Sequence, residues 1–301
     1  MRLQIGTFIK NAILEDVGDG DHTSIACIPA RATGNARLLV KETGIIAGVE
    51  LARQITKTID SKLKITSLIN DGARVNPGDI VFTLHGPARS ILKAERLVLN
   101  CMQRMSGIAT KTNSLVQLCK GTKAKVIDTR KTTPGMRFLE KWAVTIGGGH
   151  NHRFGLYDML LIKDNHIDYA EGISNAIASA NLYKKKNPRL QKLKVEIEAR
   201  NLVEVKQILS VCKTPGKITD RKTGKTKVGI NRIMLDNFSI PDLKKAVHEI
   251  AGQYETEASG GITEKNIRKY ADCGVDFISV GALTHSVKSL DLSLKAYKSG
   301  K

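Results

Sequence analysis

A unit repeated through the second half narrows the fold: a short apolar run, ending in a polar residue in five cases of six, then a helical stretch. Candidate strands are Ala124–Asp128, Met159–Lys163, Lys194–Glu198, Arg232–Asp236, Thr256–Ser259 and Val275–Val280. Apolar residues at helical spacing fill the gaps around Ile173–Lys186, Leu202–Leu209, Leu243–Ala251 and Glu264–Cys273. Strands alternating with helices predict a parallel sheet, because parallel neighbours need a crossover connection. Six such units are too few for an eight-fold barrel but fit an incomplete barrel or an open doubly wound sheet. The strand ends decide between the two. Asp128 with Arg130, Lys163, Glu198, Asp236 and Ser259 all stand at C-terminal ends, which converge on one mouth in a barrel and spread along a line in an open sheet. The expected fold is therefore α/β: an incomplete α/β barrel of parallel strands, preceded by an N-terminal α+β sandwich domain.

The sandwich is read from the first third of the chain. Arg37–Lys41, Gly44–Gly48 and Ile80–Leu84 look like short strands, and Asp71–Asp79 packs two turns around Val75. From Ala88 the period changes. Ile91, Leu92, Ala94, Leu97, Val98, Cys101, Met102, Met105 and Ile108 recur at helical spacing and predict one long amphipathic helix. The expected division is residues 1–110 for the sandwich and this linker helix, 111–287 for the barrel, and 288–301 for a terminal segment packing back on the N-terminal domain.

Composition narrows the classes. The 301 residues are 41% hydrophobic and 26% charged, as in ordinary globular proteins. No apolar run approaches the roughly 18–20 residues that span a bilayer, and residues 1–15 lack the apolar core of a signal peptide. Five scattered cysteines without a Cys-x-x-Cys pair argue against a disulfide framework or a zinc site. The expectation is a cytoplasmic protein with no membrane partner. The net charge of +19 admits nucleic acid or strongly anionic small substrates. The basic clusters at Lys184–Lys194 and Lys213–Lys227 carry no aromatic interleaving for base stacking. Solvated loops and helix faces are the preferred reading, with no specific nucleic acid expected.

The strand ends carry the chemistry. Asp128-Thr129-Arg130-Lys131 ends a strand in an acid followed by two cations, a fork and a mobile point charge that suit carboxylate or phosphate. Gly147-Gly148-Gly149 lets backbone N–H groups approach an anion, and His152 and Arg153 follow it. Lys163 ends the next strand. Arg130, Lys131, His152, Arg153 and Lys163 directed at one mouth would repel each other unless a multiply charged anion compensated them. Among the acids, Asp236 ends an apolar strand and is expected at the mouth, while Glu196 and Glu198 alternate with apolar residues and compete for the inward role. Inward acids would bind hydroxyls or Mg2+. Ser259-Gly260-Gly261 and Gly281 with His285 place glycine turns after the last two strands, where barrels hold a phosphate monoester.

These residues resemble the motif set of the quinolinate phosphoribosyltransferase family. The matching segments are Glu15–Ser24, Glu95–Arg96 with Arg104–Thr110, Asp128–Gly135, Gly147–Arg153, Ile162–Ile167, Met234–Asn237, Ser259–Ile262 and Gly281–Ser286. The resemblance covers roughly residue 10 to the end. It implies transfer of phosphoribosyl from phosphoribosyl pyrophosphate to quinolinate, with Mg2+, giving nicotinate mononucleotide, pyrophosphate and CO2. It implies a homodimer or dimer-based oligomer in which Arg104 reaches the neighbouring subunit's site. Carried over, Arg130, His152, Arg153 and Lys163 would hold the two carboxylates, joined by Arg104 in trans. Lys131 would sit near the pyrophosphate, Glu198 and Asp236 would bind ribose hydroxyls and Mg2+, and Ser259, Gly260, Gly261, Gly281 and His285 would cradle the 5′-phosphate. Lys131, Lys163, Glu198 and Asp236 form the expected catalytic group. The segment from Lys213 to Lys227 departs from the family as a basic insertion. The alternatives are a related transferase with another substrate, of the molybdenum-transport-linked or nicotinate-specific type, and a basic nucleic-acid-binding protein.

Overall fold

The computed structural model of the chain describes residues 2–213 and 229–297. The basic insertion, apart from Lys213, lies outside the described residues. Two compact units interleave along the chain: Met1–Ser114 with Lys131–Gly149 and Ala282–Lys301, and Leu115–Arg130 with His150–Gly281.

In the first unit, α1 (Arg2–Val17) and α2 (His22–Cys27) precede β1 (Thr33–Val40), β2 (Gly44–Ile45), α3 (Val49–Ile59), β3 (Lys64–Ser67), β4 (Arg74–Val75), β5 (Ile80–Pro87) and α4 (Ala88–Leu118). The second unit begins with β6 (Lys125–Ile127), and α5 (Arg137–Ile146) returns to the first. Then follow β7 (Met159–Ile162), α6 (Asp164–Tyr169), α7 (Ile173–Lys186), β8 (Lys194–Ala199), α8 (Leu202–Lys213), β9 (Arg232–Asp236), α9 (Ile240–Ile250), β10 (Glu255–Ser259), α10 (Ile267–Ala271) and β11 (Phe277–Ser279). The chain closes in the first unit with α11 (Ala282–His285) and β12 (Leu292–Tyr297).

The first unit contains an antiparallel sheet in the order β12-β1-β5-β3. Leu38 stands opposite Leu294 on one side and Phe82 on the other. All three are buried, each contributing on the order of 2 kcal/mol by leaving water. The C-terminal strand β12 thus completes the N-terminal sheet. Helix α3 buries Val49, Leu51, Ala52 and Ile55, and its first N–H is accepted by the distant Asp71 carboxylate at 2.8 Å, a cap from outside the helix. The long helix expected from Ala88 runs 31 residues and buries Ala94, Val98, Met102, Met105 and Ile108.

The second unit is a wholly parallel sheet ordered β6-β11-β10-β9-β8-β7. Each of the six strands expected in this unit is present to within two residues. Along β8, Val195, Ile197 and Ala199 are buried on one face while Glu196 and Glu198 share the other. Along β9, Arg232, Met234 and Asp236 alternate with Ile233 and Leu235 in the same way. A flat sheet would hold the segment beyond β6 about 24 Å from β8, at about 4.8 Å per strand. Yet His150 bridges Ile127 at that edge, and His152 touches Glu196 on β8. The sheet therefore curls, with its charged face inside.

Candidate functional site

Because all six strands run the same way, their C-terminal ends share one rim, and the second unit presents its expected site residues there. Arg130 follows β6. Arg153 follows the His150 bridge, and its guanidinium is buried near Arg130. Burial first, then the positive charge of Arg130, lower its pKa. Its Nη1 donates to the Met159 carbonyl at 3.3 Å. Lys163, at the end of β7, is exposed and stands 3.5 Å from Glu198. Burial raises the Glu198 carboxyl; Lys163 lowers it in part, and Asp236 and Asp164 raise it further. This is the mark of carboxylates crowded around one point. Two guanidinium groups thus adjoin one side of the rim, and an ammonium with several carboxylates occupies the other.

Asp236 pairs in register with Ser259, and Asn237 N–H donates to the Ser259 carbonyl at 2.9 Å. The side chain of Asn237 also donates to Asp236 at 2.6 Å. Gly260, at φ +93°, passes so close to this turn that a Cβ would lie 2.1 Å from Asn237 Oδ1 and 2.9 Å from its backbone nitrogen. Glycine is required there both by the left-handed conformation and by the close approach. Asn237 was given no role of its own from the sequence; it entered only as the last residue of the matching segment Met234–Asn237.

Two readings are corrected. Gly147-Gly148-Gly149 is not an anion cradle. The three N–H groups donate to Ala143, Thr145 and Val144 carbonyls at the end of α5, and Gly147 and Gly149 are small because Cβ atoms would meet Ala109 and Thr112 of α4 at 2.5–2.8 Å. His152 is turned away from the rim. Its Nδ1 accepts the Arg153 N–H at 2.7 Å, and its Nε2 lies 2.9 Å from Glu196 and 3.4 Å from Glu257. Burial and the Arg153 N–H oppose a second proton on the ring, but the two carboxylates outweigh them and push His152 up to about 9. Burial, then Glu257, push Glu196 up to about 7. Of the two competing glutamates, Glu198 is the one at the rim, and Glu196 lies wholly buried below it.

The other expected residues belong to the first unit. Arg104 on α4 donates through Nη2 to Glu140 at 2.7 Å and to the Thr284 carbonyl. Glu140, fully buried, also accepts from the Thr133 N–H at 3.1 Å and its hydroxyl at 2.8 Å. The Lys131 carbonyl is held by the Thr284 hydroxyl at 2.7 Å, and His285 contacts Ser286. Sequence reading passed over Glu140, which sits in helix α5 beside Lys141 like any surface acid.

A cavity of about 640 Å³ opens at the opposite, N-terminal end of the parallel strands, lined by Lys123, Lys194, Asn231, Glu255 and Asp276. Its charges pair with one another, Lys123 with Asp276 and Lys194 with Glu255.

Comparison with known proteins agrees along almost the whole chain. Residues 21–106 match the family described as quinolinate phosphoribosyl transferase, N-terminal domain, and residues 108–295 its C-terminal domain. A quinolinate phosphoribosyltransferase [decarboxylating] of Nicotiana tabacum is 46% identical over 297 residues, 95% of this chain and 81% of that protein. A nicotinate-nucleotide pyrophosphorylase [carboxylating] of Arabidopsis thaliana, described as chloroplastic, is 46% identical over 298 residues, with the same coverage. The solved nicotinate-nucleotide pyrophosphorylase of Francisella tularensis superposes with a TM-score of 0.86 at 38% identity, covering 98% of this chain and 96% of that one.

Proposed function

The chain belongs to the quinolinate phosphoribosyltransferase family, and from that premise we propose how its residues carry out the family reaction. It transfers a phosphoribosyl group from phosphoribosyl pyrophosphate to quinolinate with loss of CO2, giving nicotinate mononucleotide and pyrophosphate for NAD biosynthesis. The carrying observation is that Arg130, Arg153 and Lys163 stand on one strand-end rim beside Glu198 and Asp236. Two neighbouring guanidinium groups repel unless an anion lies between them, and a substrate with adjacent carboxylates supplies two charges where nicotinate supplies one. Arg130 and Arg153 hold those carboxylates, with Lys163 beside them. Below them, His152 supports Arg153.

The pyridine nitrogen attacks the anomeric carbon as pyrophosphate departs with the bonding electrons, so no protein nucleophile is needed. The carboxylate beside the resulting cationic nitrogen then leaves as CO2. Its bonding electrons stay on the ring carbon, which takes up a proton. Lys131 steadies the departing pyrophosphate, and the Ser259–Gly261 turn with Gly281 and His285 holds the 5′-phosphate. Glu198 and Asp236 fit a hard divalent cation, since they are crowded carboxylates whose repulsion it would relieve. When bound, Mg2+ neutralises charge on the pyrophosphate oxygens.

A second copy of the chain completes the site with Arg104. No helix among the described residues is long and apolar enough to cross a membrane. A cytoplasmic setting is supported by five free cysteines, which suit a reducing compartment.

The test is the Arg130→Ala variant. It should lose turnover while its circular dichroism matches wild type; near-normal quinolinate saturation would sink the assignment.

A further inference from the structure

The interior of the curled sheet holds a charged cluster that the reaction above does not use. Glu196 and Glu257 are both fully buried. Arg232 donates to Glu257 at 2.8 Å and lies over the Phe277 ring at 3.8 Å. Glu196 stands 2.9 Å from His152 Nε2, and Glu257 lies 3.4 Å from the same nitrogen. Buried carboxylates are costly unless paired, so this imidazole is a partner the cluster depends on.

Its one feature of consequence is what it faces. Arg232 pairs with Glu257 and with Glu255, and Glu196 is the carboxylate that faces His152 Nε2, at 2.9 Å. The opposite nitrogen of the same ring accepts the backbone N–H of Arg153 at 2.7 Å, and the backbone N–H of His152 donates to Asp128 at 2.8 Å. A short chain of contacts therefore runs from Glu196 through the imidazole to the backbone from which the Arg153 side chain departs. The trio His152, Glu196 and Glu257 also has the spacing of a metal site, but the guanidinium on Glu257 already occupies the place of a cation.

We propose that Glu196 is a positioning residue for quinolinate, acting through His152 to set the direction of the Arg153 guanidinium. The proposal rests on the reading that Arg153 binds a pyridine carboxylate. A residue acting this way alters capture of one substrate more than the other, because the contacts lead to Arg153 and not to the residues assigned to phosphoribosyl pyrophosphate.

The experiment measures KM for each substrate, kcat and the thermal midpoint in wild type, Glu196→Gln, Glu196→Asp and Arg153→Ala. Glu196→Gln should raise the quinolinate KM on the order of tenfold, the scale of a misplaced binding group, with the phosphoribosyl pyrophosphate KM and the thermal midpoint little changed. Glu196→Asp, which keeps the charge, should raise the quinolinate KM less. It carries the test if the glutamine variant does not accumulate folded. An unchanged quinolinate KM in the folded variants, or both KM values rising together as the midpoint falls, would overturn the proposal. Arg153→Ala separates the two levels. If it leaves the quinolinate KM unchanged, the underlying reading fails; if it raises that KM while Glu196→Gln does not, only the positioning role fails.

Discussion

Glu140 holds Arg104: the carboxylate, with no solvent exposure, lies 2.7 Å from a guanidinium that is 22% exposed. The same carboxylate accepts from Thr133, so one buried acid ties the linker helix α4 to the loop that starts at Lys131. Removing the arginine would strand the acid's charge in the interior, at a cost of roughly 3 kcal/mol. Arg104→Ala is therefore expected to lower stability by about that amount, and the Arg104→Ala, Glu140→Ala pair by less than the sum of the two single changes. Urea unfolding of the four proteins checks this. Strict additivity would contradict the pairing.

The same arginine carries the proposal that two copies build each site. Arg104→Ala and Arg130→Ala should each be inactive alone. In a mixed dimer, one of the two sites would receive an intact Arg104 from one chain and an intact Arg130 from the other. Random redistribution of equal amounts should then restore about a quarter of wild-type activity. Activity that stays at zero after subunit exchange, followed by mass spectrometry, would remove the contribution in trans.

Gly260 gives a prediction on the phosphate side. A methyl group there meets Asn237 at 2.1 Å and faces a φ of +93°. Gly260→Ala should cost on the order of 1–3 kcal/mol in strain and raise the KM for phosphoribosyl pyrophosphate more than that for quinolinate. Steady-state kinetics with each substrate varied in turn decide it, an equal rise in both counting against a phosphate role.

Much of this was legible in the sequence. The parallel strands could be placed because each is a short run with apolar residues, such as Val195, Ile197 and Ala199, and five of the six expected runs end in a polar residue. Arg104 was marked by the family resemblance, which gave a reason for a cation on an otherwise apolar helix. What could not be read was the second layer. Glu140 looks like an ordinary helix acid, and Glu196 could be read as a candidate inward acid but not matched to a partner; only folding shows each wholly buried against a cation or imidazole. The Gly147–Gly149 run misled for the opposite reason. Glycine signals close approach without saying of what, and here the neighbour is helix α4 rather than a ligand. His152 follows that run and was drawn to the rim with it, whereas the charged interior of the sheet claims its ring.

Release of CO2 tests the central claim most directly. The protein is incubated with phosphoribosyl pyrophosphate and Mg2+ together with either carboxyl-labelled quinolinate or nicotinic acid. If the assignment holds, quinolinate gives CO2 and nicotinate mononucleotide in equal amounts, both are lost when Mg2+ is chelated, and nicotinic acid gives little nucleotide. Nucleotide formation from nicotinic acid as fast as from quinolinate, or none from quinolinate with Mg2+ present, would contradict it.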